Sequence, residues 1–408
     1  MDRRDAEALD AADPLAGLRE TFELPDGVIY LDGNSLGPLP RSTAARLVEV
    51  MRQEWGQGLI TSWNAAGWID APQRVGGKIA GLIGARAHEV IAADSTSVNL
   101  FKLAAGALSL RPGRRTLVTE SDNFPTDIYV LEGLAALSGA TLKVVEPDEV
   151  LAAINDDTAA VVLTHVHYKT ARRHDLAGVT AAAHERGALA LWDLSHTAGA
   201  LAIDLNGAKA DLAVGCGYKY FNGGPGAPAF LFVAERHQAA IRSPLSGWMG
   251  HAEPFAFEPA YRPALDIRAQ LCGTPAILGL AALEVGLESL LAAGPRAIED
   301  KGLALCDLFI QLVESRCAGH GLSLQGPRRI EDRGLHVAWA HPQGYALVQA
   351  LIARGVIGDF RDPDIARFGF SPLFLRYVDV WDAVEVMRKI LASGEHLLGA
   401  FQERARVT

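Results

Sequence analysis

Through the middle of the chain, short apolar runs alternate with longer stretches of helical period. RTLVTE (115–120), TLKVVE (141–146), AAVVLTHV (159–166), ALALWD (188–193), DLAVGC (211–216) and AFLFVA (229–234) read as short buried strands. Their near-continuous apolar character fits a sheet covered on both faces. Helices are predicted over 126–138 and 175–186, each closed by a glycine, Gly139 and Gly187. Such alternation predicts an α/β fold with a large, mostly parallel but mixed sheet covered by helices and joined by right-handed crossovers. The direction of the last strand pair stays open. Ligands of such sheets sit at the carboxyl ends of the strands.

A proline-rich stretch, EPFAFEPAYRP (253–263), marks a change of composition. Long helical patterns follow at 275–293 and 297–317, then strand candidates LHVAWA (335–340) and IARFGFSP (365–372), then a helix over 379–392. This reads as a smaller α+β unit. The expected division is an N-terminal segment, 1–60, packing with the small unit at the substrate entrance, a large domain, 61–274, and a small domain, 275–408. A chain of 408 residues exceeds the size at which one core usually keeps growing.

Composition narrows the function. A net charge of −10 argues against a nucleic-acid partner, because neutralising phosphates takes basic surface. The four cysteines, at 216, 272, 306 and 317, form no CxxC pair, so neither a metal site nor a disulfide framework is expected. Free thiols suit a reducing compartment. The N-terminus, MDRRDAEALDAAD, lacks the apolar core of a signal peptide, and no apolar run is long enough to span a bilayer. A cytoplasmic protein without a membrane partner is expected.

Candidate chemistry collects at the predicted strand ends. WDLSH places Asp193 at the end of one strand and His196 just beyond it. A buried carboxylate there needs a cationic or hydrogen-bonding partner; a turn-capping aspartate and a core histidine are the plain alternatives. GYKYFNGGPG follows the next strand, with Lys219 between two tyrosines and glycines 223, 224 and 226 giving room for a close backbone turn. A desolvated lysine amine forms Schiff bases with aldehydes, and an aspartate for the ring nitrogen plus a lysine for the aldehyde is the pairing that pyridoxal 5′-phosphate (PLP) requires. Thr96 and Ser97, in STSVNL, open a predicted helix and suit an anion or simply cap it. Phe124, in DNFPTD, suits stacking on a flat ring or a place in the core, and Thr164 adds a hydroxyl at another strand tip.

In this order the motifs resemble those of the kynureninase family, within the fold type I group of PLP enzymes. YLDGNSLGPLP (30–40), STSVNL (95–100), DNFPTD (122–127), WDLSHTAGA (192–200), GYKYFNGGPG (217–226), GWMGH (247–251) and RFGFSPLF (367–374) carry the resemblance, which covers most of the chain. The resemblance implies catalytic roles for Lys219, Tyr218 and His196. Lys219 would bind the cofactor and move protons, Tyr218 would relay protons late in the reaction, and Asp193 would pair with the pyridine nitrogen. Phe124 would stack on the ring, with Pro125, Thr126 and Asp127 around it. Thr96, Ser97, Thr164 and Tyr218 would hold mainly the phosphate. Trp248 would reach the phosphate from a second subunit, which implies a homodimer. Thr274 stands where other members often carry Asn. Arg367 would clamp the substrate α-carboxylate in a bidentate geometry, with Arg376 as a competitor and Asn34 and Ser35 near the substrate end. The implied reaction is hydrolysis of L-kynurenine to anthranilate and L-alanine, with the 3-hydroxy form as a second candidate substrate. A cysteine desulfurase, an aminotransferase and a PLP-binding regulator are the rival readings. The first needs a late loop cysteine, and none follows Cys317.

Overall fold

Seven strands form the large sheet in the computed structural model, which describes residues 1–404. They are β1 (Val90–Ala92), β2 (Thr116–Glu120), β3 (Thr141–Val145), β4 (Thr158–Thr164), β5 (Leu189–Asp193), β6 (Leu212–Gly215) and β7 (Phe230–Val233). Their spatial order is β1-β7-β6-β5-β4-β2-β3. From β3 through β6 all neighbours are parallel, whereas β7 runs antiparallel to both β6 and β1. That settles the direction of the last pair.

Alternation along the strands feeds two cores. Leu191 packs on one face, among Leu117, Val162 and Val214; Trp192 packs on the other, among Val118, Val161 and Ala213. Every residue of β2, β4, β5 and β6 is buried. The expectation of burial on both faces fails for TLKVVE. β3 is an edge strand with Thr141, Lys143 and Val144 exposed, since a sheet edge has a neighbour on one side only.

Among the described residues ten α-helices have nine residues or more: α1 (Arg3–Ala11), α2 (Arg41–Glu49), α3 (Ala71–Leu82), α4 (Thr96–Leu110), α5 (Pro125–Ser138), α6 (Leu176–Glu185), α7 (Ile277–Ala293), α8 (Pro295–Arg316), α9 (Gly344–Ala353) and α10 (Tyr377–Ser393). The α4 start is capped by Ser95, whose Oγ accepts from Val98 N at 3.3 Å. The end of α5 is set by Gly139 at φ +69°, a left-handed position that costs glycine little.

The smaller unit is an antiparallel sheet, β8 (Ser323–Leu324), β9 (His336–Ala340), β10 (Asp359–Arg361) and β11 (Ile365–Gly369), in the order β8-β9-β11-β10. On it, Phe309 of α8 meets Phe368 and Phe370 at centroid distances of 5.1 Å. The N-terminal segment divides its contacts. Helix α1 packs on α10, and residues 29–30 pair in parallel with 356–357, but α2 packs on α7. Because α7 also packs on α3, the chain leaves the large body at Gly294, where α7 and α8 meet at 84°, and not at 274/275. Among the described residues no single helix is long and apolar enough to cross a membrane.

Candidate active site

The parallel strands end at one edge of the sheet, and their tips open into a cleft of about 240 Å³. Thr164 closes β4 and Asp193 closes β5, and the two are register partners. Lys219 arrives on the loop after β6, Phe124, Thr126 and Asp127 come from the turn into α5, and Thr96 and Ser97 from the start of α4. Tyr218 and His196 also line the cleft. The structure thus gathers from separate strand ends most of the residues that the sequence marks one by one.

Lys219 Nζ sits 3.0 Å from His196 Nε2. The His196 ring is fully enclosed, and burial first, then the nearby Lys219 charge, holds it well below the usual histidine range, so it is neutral. Its Nδ1 is buried without a partner. Asp193 accepts from Ser195 N at 2.7 Å, and burial raises its carboxyl above the ordinary value. Asp127 is raised further, by burial and then by Asp193. The Thr164 hydroxyl bonds Asn123 and, at 3.3 Å, Asp127. Two buried carboxyls facing one lysine leave the site short of positive charge, and an orphaned imidazole nitrogen leaves it short of a partner. A ring carrying a protonated nitrogen supplies the missing positive charge beside Asp193, so these residues fit PLP. The open backbone N–H groups at the start of α4, beside Thr96 and Ser97, suit its phosphate.

The loop that carries Lys219 is held by the N-terminal motif. Gly37 N donates to Tyr218 O at 2.8 Å, and a Cβ at Gly37 would lie 2.5 Å from Lys219 O. Glycine is required there for close approach.

Arg367 is 1% exposed on β11, one layer behind the cleft, and it bonds the carbonyl of Tyr168, itself a lining residue. Its Nε meets Asp359 Oδ1 at 2.8 Å, its Nη2 meets Ser35 Oγ at 2.8 Å, and Nη2 also contacts Asp359 Oδ2. Arg376 caps α10 through Asp379, with its side chain about half exposed, which removes it as a competitor for the cleft.

Besides Arg367 and Ser35, four further marked residues lie outside the cleft of their own chain. Trp248 packs against the exposed Phe255 and Phe257, at 5.7 and 6.3 Å. Thr274 lines a separate cavity with Cys272 and Gly226. Pro125 serves as the first residue of α5. Asn34 is fully buried against Gly369, with neither end of its amide bonded. Sequence reasoning missed Tyr168, Ser195, Asn123 and Asp359. Ser195 and Asn123 lie inside WDLSHTAGA and DNFPTD, whereas Tyr168 and Asp359 follow no local pattern that sets them apart.

Comparison with known proteins agrees with this geometry. A family model described as aminotransferase class-V matches residues 29–326, and one described as kynureninase C-terminal domain matches 298–387. Among solved structures, the apo cysteine desulfurase from Thermococcus onnurineus NA1 superposes with a TM-score of 0.78 at 17% identity, covering 92% of this chain and 98% of that one. The cysteine desulfurase CsdA from Escherichia coli gives 0.76 at 16%, with 93% and 98% covered. These likenesses define the class: a PLP-dependent fold type I protein of the aminotransferase class-V group. Kynureninases from Pseudomonas fluorescens and from Burkholderia mallei (strain SAVP1) are each 52% identical over 100% of this chain and 99% of their own length. The chain belongs to the kynureninase family.

Proposed function

We propose that the protein hydrolyses the Cβ–Cγ bond of L-kynurenine, giving anthranilate and L-alanine, with PLP as cofactor. The observation that carries the reading is the meeting of Lys219, His196 and buried Asp193 in one cleft, in a chain matched from end to end by kynureninases. Bound there, PLP supplies an electrophilic aldehyde and a ring that accepts the electrons released at the substrate α-carbon. Lys219 binds the aldehyde and carries protons at Nζ. Asp193 keeps the ring nitrogen protonated, and neutral His196 holds the lysine amine in place. Phe124 covers the ring, and Thr96, Ser97, Thr164 and Tyr218 serve the phosphate end, with Thr126 and Asp127 beside them. Tyr218, whose phenol burial keeps protonated, donates rather than accepts in the later proton steps. Arg367 receives the α-carboxylate, with Ser35 and Asn34 at the substrate end, and both kynurenine and its 3-hydroxy form are candidate substrates.

A homodimer completes the reading. The aromatic cluster of Trp248, Phe255 and Phe257 is an exposed apolar surface suited to a second copy, through which Trp248 reaches the partner's phosphate site. Thr274 is assigned to the same shared region. A cytoplasmic location fits four free thiols.

The test is continuous: purified protein plus PLP and kynurenine alone yields anthranilate fluorescence through many turnovers. An aminotransferase would stop after one equivalent. Sulfur release from cysteine is not expected, because Cys306 and Cys317 are buried in and at the end of α8.

A further inference from the structure

Arg367 already has a carboxylate. Asp359 is its register partner across β10 and β11, and both side chains are almost wholly buried. The Nε–Nη2 edge of the guanidinium is taken by the two oxygens of Asp359. Nη2 gives its second N–H to Ser35 Oγ, and Nη1 gives one to the carbonyl of Tyr168. Of five N–H groups, one on Nη1 remains. The Asp359 carboxylate has further partners: Arg361 reaches Oδ2 at 2.6 Å and the Ser35 hydroxyl donates to it at 3.1 Å. It cannot swing away without stranding two arginines.

A third carboxyl completes the cluster. Asp32, which bridges Gly369 on β11, has Oδ1 buried without a partner. The charged or titratable groups around it are Asp359, Arg367, Arg361, Tyr30 and Tyr220. With Asp32 neutral, the two arginines and Asp359 leave one net positive charge for an incoming carboxylate. With Asp32 ionised, they leave none.

We propose that Asp359 is a positioning residue and resident counter-ion for Arg367, which turns the Nη1 end toward the substrate's α-carboxylate and limits how tightly substrate and product carboxylates are held, with Asp32 setting the remaining charge. This rests on the reading of Arg367 as the α-carboxylate receptor. The Nε–Nη2 edge is closed to substrate, so the clamp is end-on, with Ser35 Oγ and the Tyr168 carbonyl as the groups that must yield. Burial, and next the Asp359 charge, push Asp32 up to about 7, against the opposing pull of Arg367, Ser35 and Arg361. Carboxylate binding therefore weakens as pH rises through neutrality.

The probe is 4-phenyl-4-oxobutanoate, the substrate skeleton without its α-amine and ring amine, beside its primary amide. It cannot form an imine, and its charge is constant over the range used. Competitive inhibition constants and thermal shifts of holoenzyme are read for wild type, Asp359→Asn and Asp32→Asn. Asp359→Asn keeps the shape and removes the charge; it is expected to tighten the carboxylate by about fivefold or more and leave the amide unchanged. Wild type is expected to weaken toward the carboxylate severalfold between about pH 6 and about pH 8.5, and Asp32→Asn to flatten that slope. If Asp359→Asn does not fold, the wild-type slope and its loss in Asp32→Asn decide the matter. An unchanged or weakened carboxylate in Asp359→Asn, an equal change for the amide, or a slope that survives Asp32→Asn overturns the proposal. Kynurenine turnover by wild type is scored separately, so failure of the enzyme assignment is told apart from failure of this one.

Discussion

The Lys219 amine and the His196 imidazole lie 3.0 Å apart, and the ring is buried and neutral. A neutral imidazole Nε2 accepts a hydrogen bond from the amine without competing for its charge. It thereby fixes the direction from which Lys219 approaches a bound aldehyde. His196→Phe keeps a flat ring in the space and deletes that acceptor. Turnover is expected to fall by about tenfold to a hundredfold, with the cofactor still bound. Steady-state anthranilate release and the visible spectrum of the holoenzyme check this; unchanged turnover would remove His196 from the catalytic group.

Among the described residues Lys219 has a single side-chain hydrogen bond, to His196, so its removal should cost chemistry and not folding. Lys219→Ala is expected to lose about a thousandfold or more in turnover while keeping its circular dichroism spectrum. In wild-type holoprotein, borohydride reduction followed by peptide mapping should place the label on the peptide containing Lys219. A label on any other lysine would contradict the assignment.

Gly37 ties the N-terminal motif to the catalytic loop. A Cβ there would lie 2.3 Å from Asn222 Oδ1, 2.5 Å from Lys219 O and 2.7 Å from Asn222 Cα. Two of these contacts are backbone, so the loop itself must move. Overpacking of this kind costs about 1–3 kcal/mol. Gly37→Ala is expected to lower the melting temperature modestly and turnover strongly, by about tenfold or more, because the displaced atoms belong to the Lys219 peptide unit. A variant with full turnover would show that the loop position does not matter.

Much of this architecture could be read in advance. The buried strands stand out because β4, β5 and β6 are apolar on both faces, and the helix ends at Gly139 and Gly187 because glycine adopts positive φ there. The strand-end rule then leads to Asp193, Thr164 and Lys219, which meet in the cleft. The missed features depend on tertiary pairing. The exposure of β3 reflects its place at the sheet edge, which its own residues do not encode. Asp359 is matched to Arg367 by the register of β10 on β11, and the intervening Asp362–Pro363 turn carries no sign of that pairing in its composition. The proline-rich stretch changes the composition without ending the large body, because α7 is held there by packing against α3.

Asp211 offers a stability test remote from the cleft, since it precedes β6 while Asp193 closes β5 at the other edge of the sheet. Its carboxylate accepts from Arg236 Nη2 at 2.7 Å and from His237 Nε2, His184 Nε2 and Ala190 N at 2.8 Å each. Burial alone would raise this carboxyl, but the bonds from His184, His237 and Ala190 outweigh it and hold it well below the usual range. A depressed carboxyl contributes stability that is complete above the unfolded value near about pH 4 and is lost as pH falls toward the folded value. Asp211→Asn is therefore expected to cost about 2–4 kcal/mol at neutral pH, by leaving four donor groups short of a carboxylate. Turnover at moderate temperature should be unchanged. The gap between wild type and variant, read by urea unfolding, should narrow by about 1 kcal/mol between about pH 4 and about pH 3, because only wild type carries a group that the unfolded chain protonates first. A gap that stays constant or widens on acidification would mean that Asp211 is not held as an ionised carboxylate.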